Sequence, residues 1–247
     1  RRLGVPGAYD RSRRAAVVRR VSPNFDKALS KYFGTQTPDP VAAQGSHDAY
    51  VMALQAHGTE VEILNALETH PDCCFVEDCA VMIDGIALIS NLGAPSRRGE
   101  EEAVAEYLSE DSNILRMPKG ATLDGGDVVF FDDRYLIGVS TRTNQAGADF
   151  LTEQVREEGF DVELIDIPSS TLHLTTVCSS PREGTLVAAE GHLTPTQIGH
   201  LAEEKSLAAS VRKAPSPQSM RVRRKRLLRC LVEPPVRPRP VRLPVEP

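Results

Sequence analysis

The 247-residue sequence contains no tryptophan, and phenylalanine and tyrosine together make up only 5% of it. A core built from it must be largely aliphatic, and few rings are available as stacking platforms for nucleic-acid bases. No uninterrupted apolar run approaches the ~20 residues of a membrane span, and no charged-then-apolar leader opens the chain. The expectation is a soluble, cytoplasmic protein that makes no membrane contact. Cysteine is sparse and odd in number: Cys73, Cys74, Cys79, Cys178 and Cys230. They show neither a disulfide framework nor the paired CxxC spacing of a structural zinc site. Lysine is scarce between residues 21 and 210, where only Lys27, Lys31, Lys119 and Lys205 occur.

The net charge of -5 hides a strong asymmetry. Residues 1–20 hold seven arginines against one acid, and residues 211–247 hold eleven Lys/Arg against two acids. The stretch 21–210 is left with 11 basic and 31 acidic residues. Such an acidic body disfavours nucleic acid as a partner. The ending "SMRVRRKRLLRCLVEPPVRPRPVRLPVEP" differs abruptly from what precedes it. Acid-rich codons of a GC-rich gene give arginine when read one base out of register. We therefore divide the chain into a domain, 15–210, and a basic Pro/Arg-rich tail, 211–247, that is non-native or disordered. The opening, 1–13, raises the same question.

Within the domain, "AAVVRR" reads as a strand and "NFDKALSKYF" as a short helix. Asp39-Pro40 opens a helix to Ala56, with Asp as N-cap and Pro at the first position. "EVEILN", "CFVE", "CAVMI" and "IALIS" read as strands, with Asp84-Gly85 as a hairpin turn. A helix over 99–109 and the strand "NILRM" follow. "DVVFF" and "YLIGVS" flank a second turn at Asp132-Asp133-Arg134. Helix 144–158, strand "DVELIDI", a third hairpin of "HLTTVCS" and "TLVAAEG", and a helix "TPTQIGHLAEEKSL" complete the domain. Hairpin, helix and strand thus recur, Asp78 superposing on Asp127 at an offset of 49. A period of this length implies repeated supersecondary units. Each carries polar groups at the start of its first hairpin strand: Glu77 and Asp78, then Asp124 and Asp127, then His173. A radial arrangement would bring these groups to one axis. Buried carboxylates there require a cation, either a hard divalent metal or a planar guanidinium.

The segments "PDCCFVEDCAV", "GAPSRR", "ATLDGGDV", "STRTNQAGADFL" and "LHLTTVCS", in this order and spacing, closely resemble the dimethylarginine dimethylaminohydrolase family. That family lies within the guanidine-modifying superfamily of arginine deiminases and amidinotransferases. The resemblance spans about residues 15–200. It implies an α/β fold, the pentein-type propeller of ββαβ repeats with pseudo-five-fold symmetry, its last blade here incomplete or aberrant. It also implies hydrolysis of Nω-methylated arginine to citrulline and a methylamine by Cys-His covalent catalysis, with no cofactor and no metal. By motif, His173 matches the general acid/base and Asp124 the carboxylate that grips the guanidinium. Asp72, Glu77 and Asp78 match acids on the substrate side. Arg97 and Arg142 match residues that hold the substrate's α-carboxylate. The expected partner is a small guanidino substrate, with a homodimer allowed. The family's nucleophilic cysteine falls near the C-terminus, where only Cys230 is available and its neighbours do not match. Cys178 reads as packing. Arginine as substrate, or a non-catalytic guanidinium-binding remnant, are the alternatives.

Overall fold

The computed structural model describes residues 15–32, 37–182, 184–189, 192–193, 195–198 and 201. The expected tail, Cys230 and most of the last expected helix lie outside these residues. No described helix is long and apolar enough to cross a membrane.

The first strand, β1 (Ala15–Arg19), runs parallel to β2 (Glu60–Leu64), with α1 (Pro40–Ala56) between them. Helix α1 starts where expected, because the Asp39 side chain accepts from the Val41 amide and Pro40 needs no partner for its missing N–H. It stops at Gly58, whose φ of +84° no β-carbon-bearing residue adopts cheaply.

Two complete ββαβ units follow. In one, β3 (Ala80–Ile83) and β4 (Ile86–Ile89) form a hairpin, α2 (Glu102–Leu108) crosses over, and β5 (Asn113–Arg116) returns parallel to β4. The other repeats this with β6 (Val128–Phe131), β7 (Arg134–Val139), α3 (Gln145–Glu157) and β8 (Asp161–Asp166). A further hairpin joins β9 (Cys178–Arg182) to β10 (Thr185–Ala188) and leads into α5 (Pro195–Ile198). The β1–α1–β2 segment matches the last three elements of such a unit.

The central strands β4 and β7 are buried on both faces, which is why they read as nearly continuous apolar runs. Along β6, Val128 and Phe130 pack with Ile83, Leu88, Leu123 and Leu151. Val129 and Phe131 face the other way, onto Ile165, Leu174 and Val177. The two-residue period thus couples each unit to the one before and the one after.

Several local expectations are corrected. "CFVE" is not a strand: Val76–Cys79 is a single 3-10 turn, which lets adjacent Glu77 and Asp78 diverge, one exposed and one buried. "HLTTVCS" begins with one helical turn, α4 (Leu174–Val177), and the strand starts only at Cys178. "NFDKALSKYF" contains a three-residue 3-10 turn, Phe25–Lys27, ended by extended Ala28. The hairpins superpose at an offset of 48 rather than 49. Asp84 (φ +40°) and Asp132 (φ +54°) hold the same left-handed place in two-residue turns, and Arg134 already belongs to β7. Asp78 therefore corresponds to Gly126.

Candidate active site

The polar groups singled out by the repeat lie in the single turns that precede β3, β6 and β9. Asp78 is in the turn Val76–Cys79, Asp124 caps the turn Gly125–Asp127, and His173 caps α4. All three are buried. The turns can meet because the middle one carries two glycines. A β-carbon on Gly125 would lie 2.1 Å from the Glu77 carbonyl oxygen. One on Gly126 would lie 2.7 Å from both Asp78 Oδ1 and His173 Nδ1. The Gly-Gly pair is thus required by close approach, beyond any need of a turn.

At the centre, His173 Nε2 donates to Asp124 Oδ2 at 3.0 Å, and His173 Nδ1 lies 3.8 Å from Asp78 Oδ1. The other Asp124 oxygen accepts from the Gly93 amide at 2.8 Å, and Arg142 Nη1 stands 3.7 Å from Oδ2. Asp78 Oδ1 accepts from the Gly126 amide at 3.0 Å, while Oδ2 accepts from Arg97 Nη1 at 2.5 Å. Burial disfavours the charged imidazole, but the Asp124 hydrogen bond and the fields of Asp78, Asp127 and Asp124 outweigh it and raise the His173 pKa. Burial likewise opposes charge on Asp124, yet His173 and the Gly93 amide pull its carboxyl below the ordinary range. Both directions favour the ionised carboxylate and the protonated imidazole in this pair.

Other expected residues take different places. Glu77 lies beside this group; the residue is exposed overall, while the protein around its carboxyl, and next Asp78, hold that carboxyl's pKa up. Arg97 lies against the same group, bonded to Asp78. It is buried, and its donors reach Asp78, Glu100 (Nε 3.1 Å, Nη2 2.8 Å) and the Phe75 carbonyl at 3.2 Å, so the fork is already engaged within the protein. Asp72 is buried as well. Its carboxylate accepts from the Leu29 amide at 3.0 and 3.3 Å and anchors the segment after β1. Arg142 remains at the site, its side chain 14% exposed beside Asp124.

A family model described as "N,N dimethylarginine dimethylhydrolase, eukaryotic" matches residues 35–210. The chain belongs to this family. Among curated relatives, the N(G),N(G)-dimethylarginine dimethylaminohydrolase of Streptomyces coelicolor is 36% identical over 187 residues, covering 75% of this chain and 71% of the relative. The solved dimethylarginine dimethylaminohydrolase of Pseudomonas aeruginosa, a cysteine-to-serine mutant complexed with citrulline, is 28% identical with a TM-score of 0.68. That match covers 72% of this chain and 70% of the other. An amidinotransferase of Microseira wollei shares the fold at 14% identity, with a TM-score of 0.62 and coverage of 74% and 68%. The fold of this dimethylarginine dimethylhydrolase family member is thus the pentein-type α/β propeller.

Donor atoms of Asp78, Asp124 and His173 lie within 4.8 Å of one another, close enough to surround one cation. Hard divalent ions demand about six or more oxygen ligands. Here two carboxylates and one imidazole, each already hydrogen-bonded, suit a flat organic cation better. None of the described cysteines is an activated thiol. Burial pushes Cys74 and Cys79 up to about 12 and Cys178 up to about 11, and raises Cys73 as well. Cys178 sits in the apolar cluster with Leu174 and Val177, as expected of a packing residue.

Two buried acids in this network had received no site role from the sequence. Glu100 was legible only as charge beside "RRG", although its spacing of three from Arg97 is that of a helical ion pair. Asp127 was visible in the repeat, but only the fold shows what it holds.

Proposed function

We propose that this chain binds an Nω-methylated arginine and hydrolyses it to citrulline and a methylamine. The observation that carries the proposal is the convergence of Asp78, Asp124 and His173 from three successive units, with exposed Glu77 beside them. Carboxylates fixed around a guanidinium neutralise it and hold its carbon electrophilic without reorganising during the reaction. Arg142, beside Asp124, is placed to hold the substrate's anionic end and so orient that carbon. Asp124 favours the protonated form of His173, which can hand that proton to the departing amine as the C–N bond breaks. The neutral imidazole then takes a proton from water, which attacks the same carbon. The covalent step needs a thiolate, which forms the C–S bond and leaves as water adds. The four described cysteines do not offer one, so it must come from beyond the described residues.

This last point supports a second reading, a guanidinium-binding protein without turnover. Incubation of the full chain with asymmetric dimethylarginine and, separately, arginine, followed by citrulline assay, separates the readings. Citrulline from dimethylarginine supports the hydrolase, and citrulline from arginine alone shifts the substrate. Calorimetric binding without citrulline supports the second reading. Neither binding nor citrulline overturns both.

A further inference from the structure

The hydrogen bonds of Asp127 join segments that the proposed chemistry uses separately. Its carboxylate is fully buried. Oδ2 accepts from Ser140 Oγ and Thr143 Oγ1, each at 2.6 Å, and Oδ1 accepts from the Leu174 amide at 3.1 Å. Each contact leads on to a group at the site. Ser140 Oγ accepts from the amides of Arg142 and Thr143 at 3.0 and 3.1 Å, which curls the loop that presents Arg142. Thr143 Oγ1 accepts from the Asp124 amide at 3.2 Å. Leu174 follows His173 directly. Gly138 keeps the space open, since a β-carbon there would lie 3.2 Å from Asp127 Oδ1.

We propose that Asp127 is a positioning residue: one buried carboxylate that sets Arg142, Asp124 and His173 relative to one another without touching the substrate. The inference rests on His173 and Arg142 having the roles given above. A residue needed only to fill the core would not require a carboxylate. Ionised, it accepts three hydrogen bonds, and such charge-assisted bonds are the short, directional kind. Burial pushes its carboxyl up to about 6, with Ser140 and Thr143 pulling the other way, so it carries its charge at neutral pH. That charge is one of several facing His173. Asp124, Asp78 and Glu77 contribute negative fields from their own turns, and Arg142 and Arg97 stand behind Asp124 and Asp78 as counter-charges.

The test compares wild type, Asp127→Asn and Ser140→Ala as full-length chains. Nuclear magnetic resonance titration follows the His173 ring, and calorimetry measures binding of dimethylarginine. In Asp127→Asn the His173 midpoint moves down and affinity falls at least about tenfold, the loss of one charge-assisted hydrogen bond, with the far-UV circular dichroism unchanged. In Ser140→Ala affinity falls several-fold while the His173 midpoint holds, because no charge is removed. A folded Asp127→Asn with wild-type midpoint and affinity overturns the proposal. Should Asp127→Asn fail to fold, unchanged affinity in Ser140→Ala overturns it and weakened affinity upholds it. Should wild type itself bind no dimethylarginine, the proposed function fails, and the midpoint shift alone then decides whether Asp127 sets the His173 environment.

Discussion

Replacing Glu100 by glutamine removes one charge from the buried core at almost constant volume. Glu100 is fully buried, and its carboxylate takes the Arg97 fork at 3.1 and 2.8 Å. A glutamine oxygen in the place of Oε2 can still accept from Nε and Nη2, but its amide then faces the Nε donor that lies 3.3 Å from Oε1. Arg97 retains Asp78 at 2.5 Å and the Phe75 carbonyl at 3.2 Å, so it is not stranded. Removing one partner of a buried pair costs about 3–5 kcal/mol. With one counter-charge remaining, the loss here falls below that range, at about 2–3 kcal/mol, still a sizeable part of the ~5–15 kcal/mol that holds a domain together. At about 2–4 °C per kcal/mol for a chain of this size, the melting temperature drops by about 4–12 °C. Thermal melts followed by circular dichroism, with urea denaturation as a second measure, read the change directly. A variant melting within about 2 °C of wild type would show that Arg97 does not depend on Glu100, and the chain of charge from Glu100 through Arg97 to Asp78 would lose its support.

Gly126→Ala places a methyl 2.7 Å from Asp78 Oδ1 and His173 Nδ1. Affinity for dimethylarginine falls at least about tenfold by calorimetry, and unchanged binding would contradict the packed-turn geometry. Asp39→Ala removes the cap of α1, where the Val41 amide reaches the side chain at 2.9 Å. It costs about 1 kcal/mol, read as a melting temperature about 2–4 °C lower, with no effect on ligand binding. The His173–Asp124 contact is pH-dependent because the His173 pKa is raised on folding. Its contribution is complete below the unfolded value near 6.5 and fades as pH climbs through the folded value. Urea denaturation from about pH 6 to pH 9 shows wild type losing stability more steeply than His173→Gln, and parallel profiles would refute the raised value.

Features set by neighbours in sequence could be read from the chain. The Asp39-Pro40 start of α1, the left-handed Asp84-Gly85 turn and the apolar runs of β4 and β7 depend on local chemistry or on burial of both sheet faces. The turns before β3 and β9 could not be read that way. Val76, Leu174 and Val177 are apolar residues in single helical turns, and over four residues a turn and a strand give the same pattern. Convergence at one site was foreseeable from the repeat, and Asp78, Asp124 and His173 do meet. The place of Arg97 was not foreseeable. "SRRGE" looks like a charged surface corner, and only the approach of Asp78 from 19 residues earlier turns it into a buried clamp. The partner of Asp72 was equally illegible, because the Leu29 amide lies 43 residues before it.

The network also explains how so many acids can lie together before any cation arrives. Buried carboxylates crowded against one another would raise each other's pKa and take up protons. Here each buried acid of the centre is answered by a donor already in the fold: Asp78 by Arg97 and the Gly126 amide, Asp124 by His173 and the Gly93 amide, Asp127 by two hydroxyls and the Leu174 amide. The cost of desolvating these charges is met during folding, so an incoming guanidinium need not meet it again. Glu77 differs from them, being exposed and the acid among these four without a hydrogen-bonded partner among the described residues. Within the proposed binding mode, Glu77 is therefore the acid whose carboxylate is left for an incoming cation, while Asp78, Asp124 and Asp127 are already held by donors of the fold.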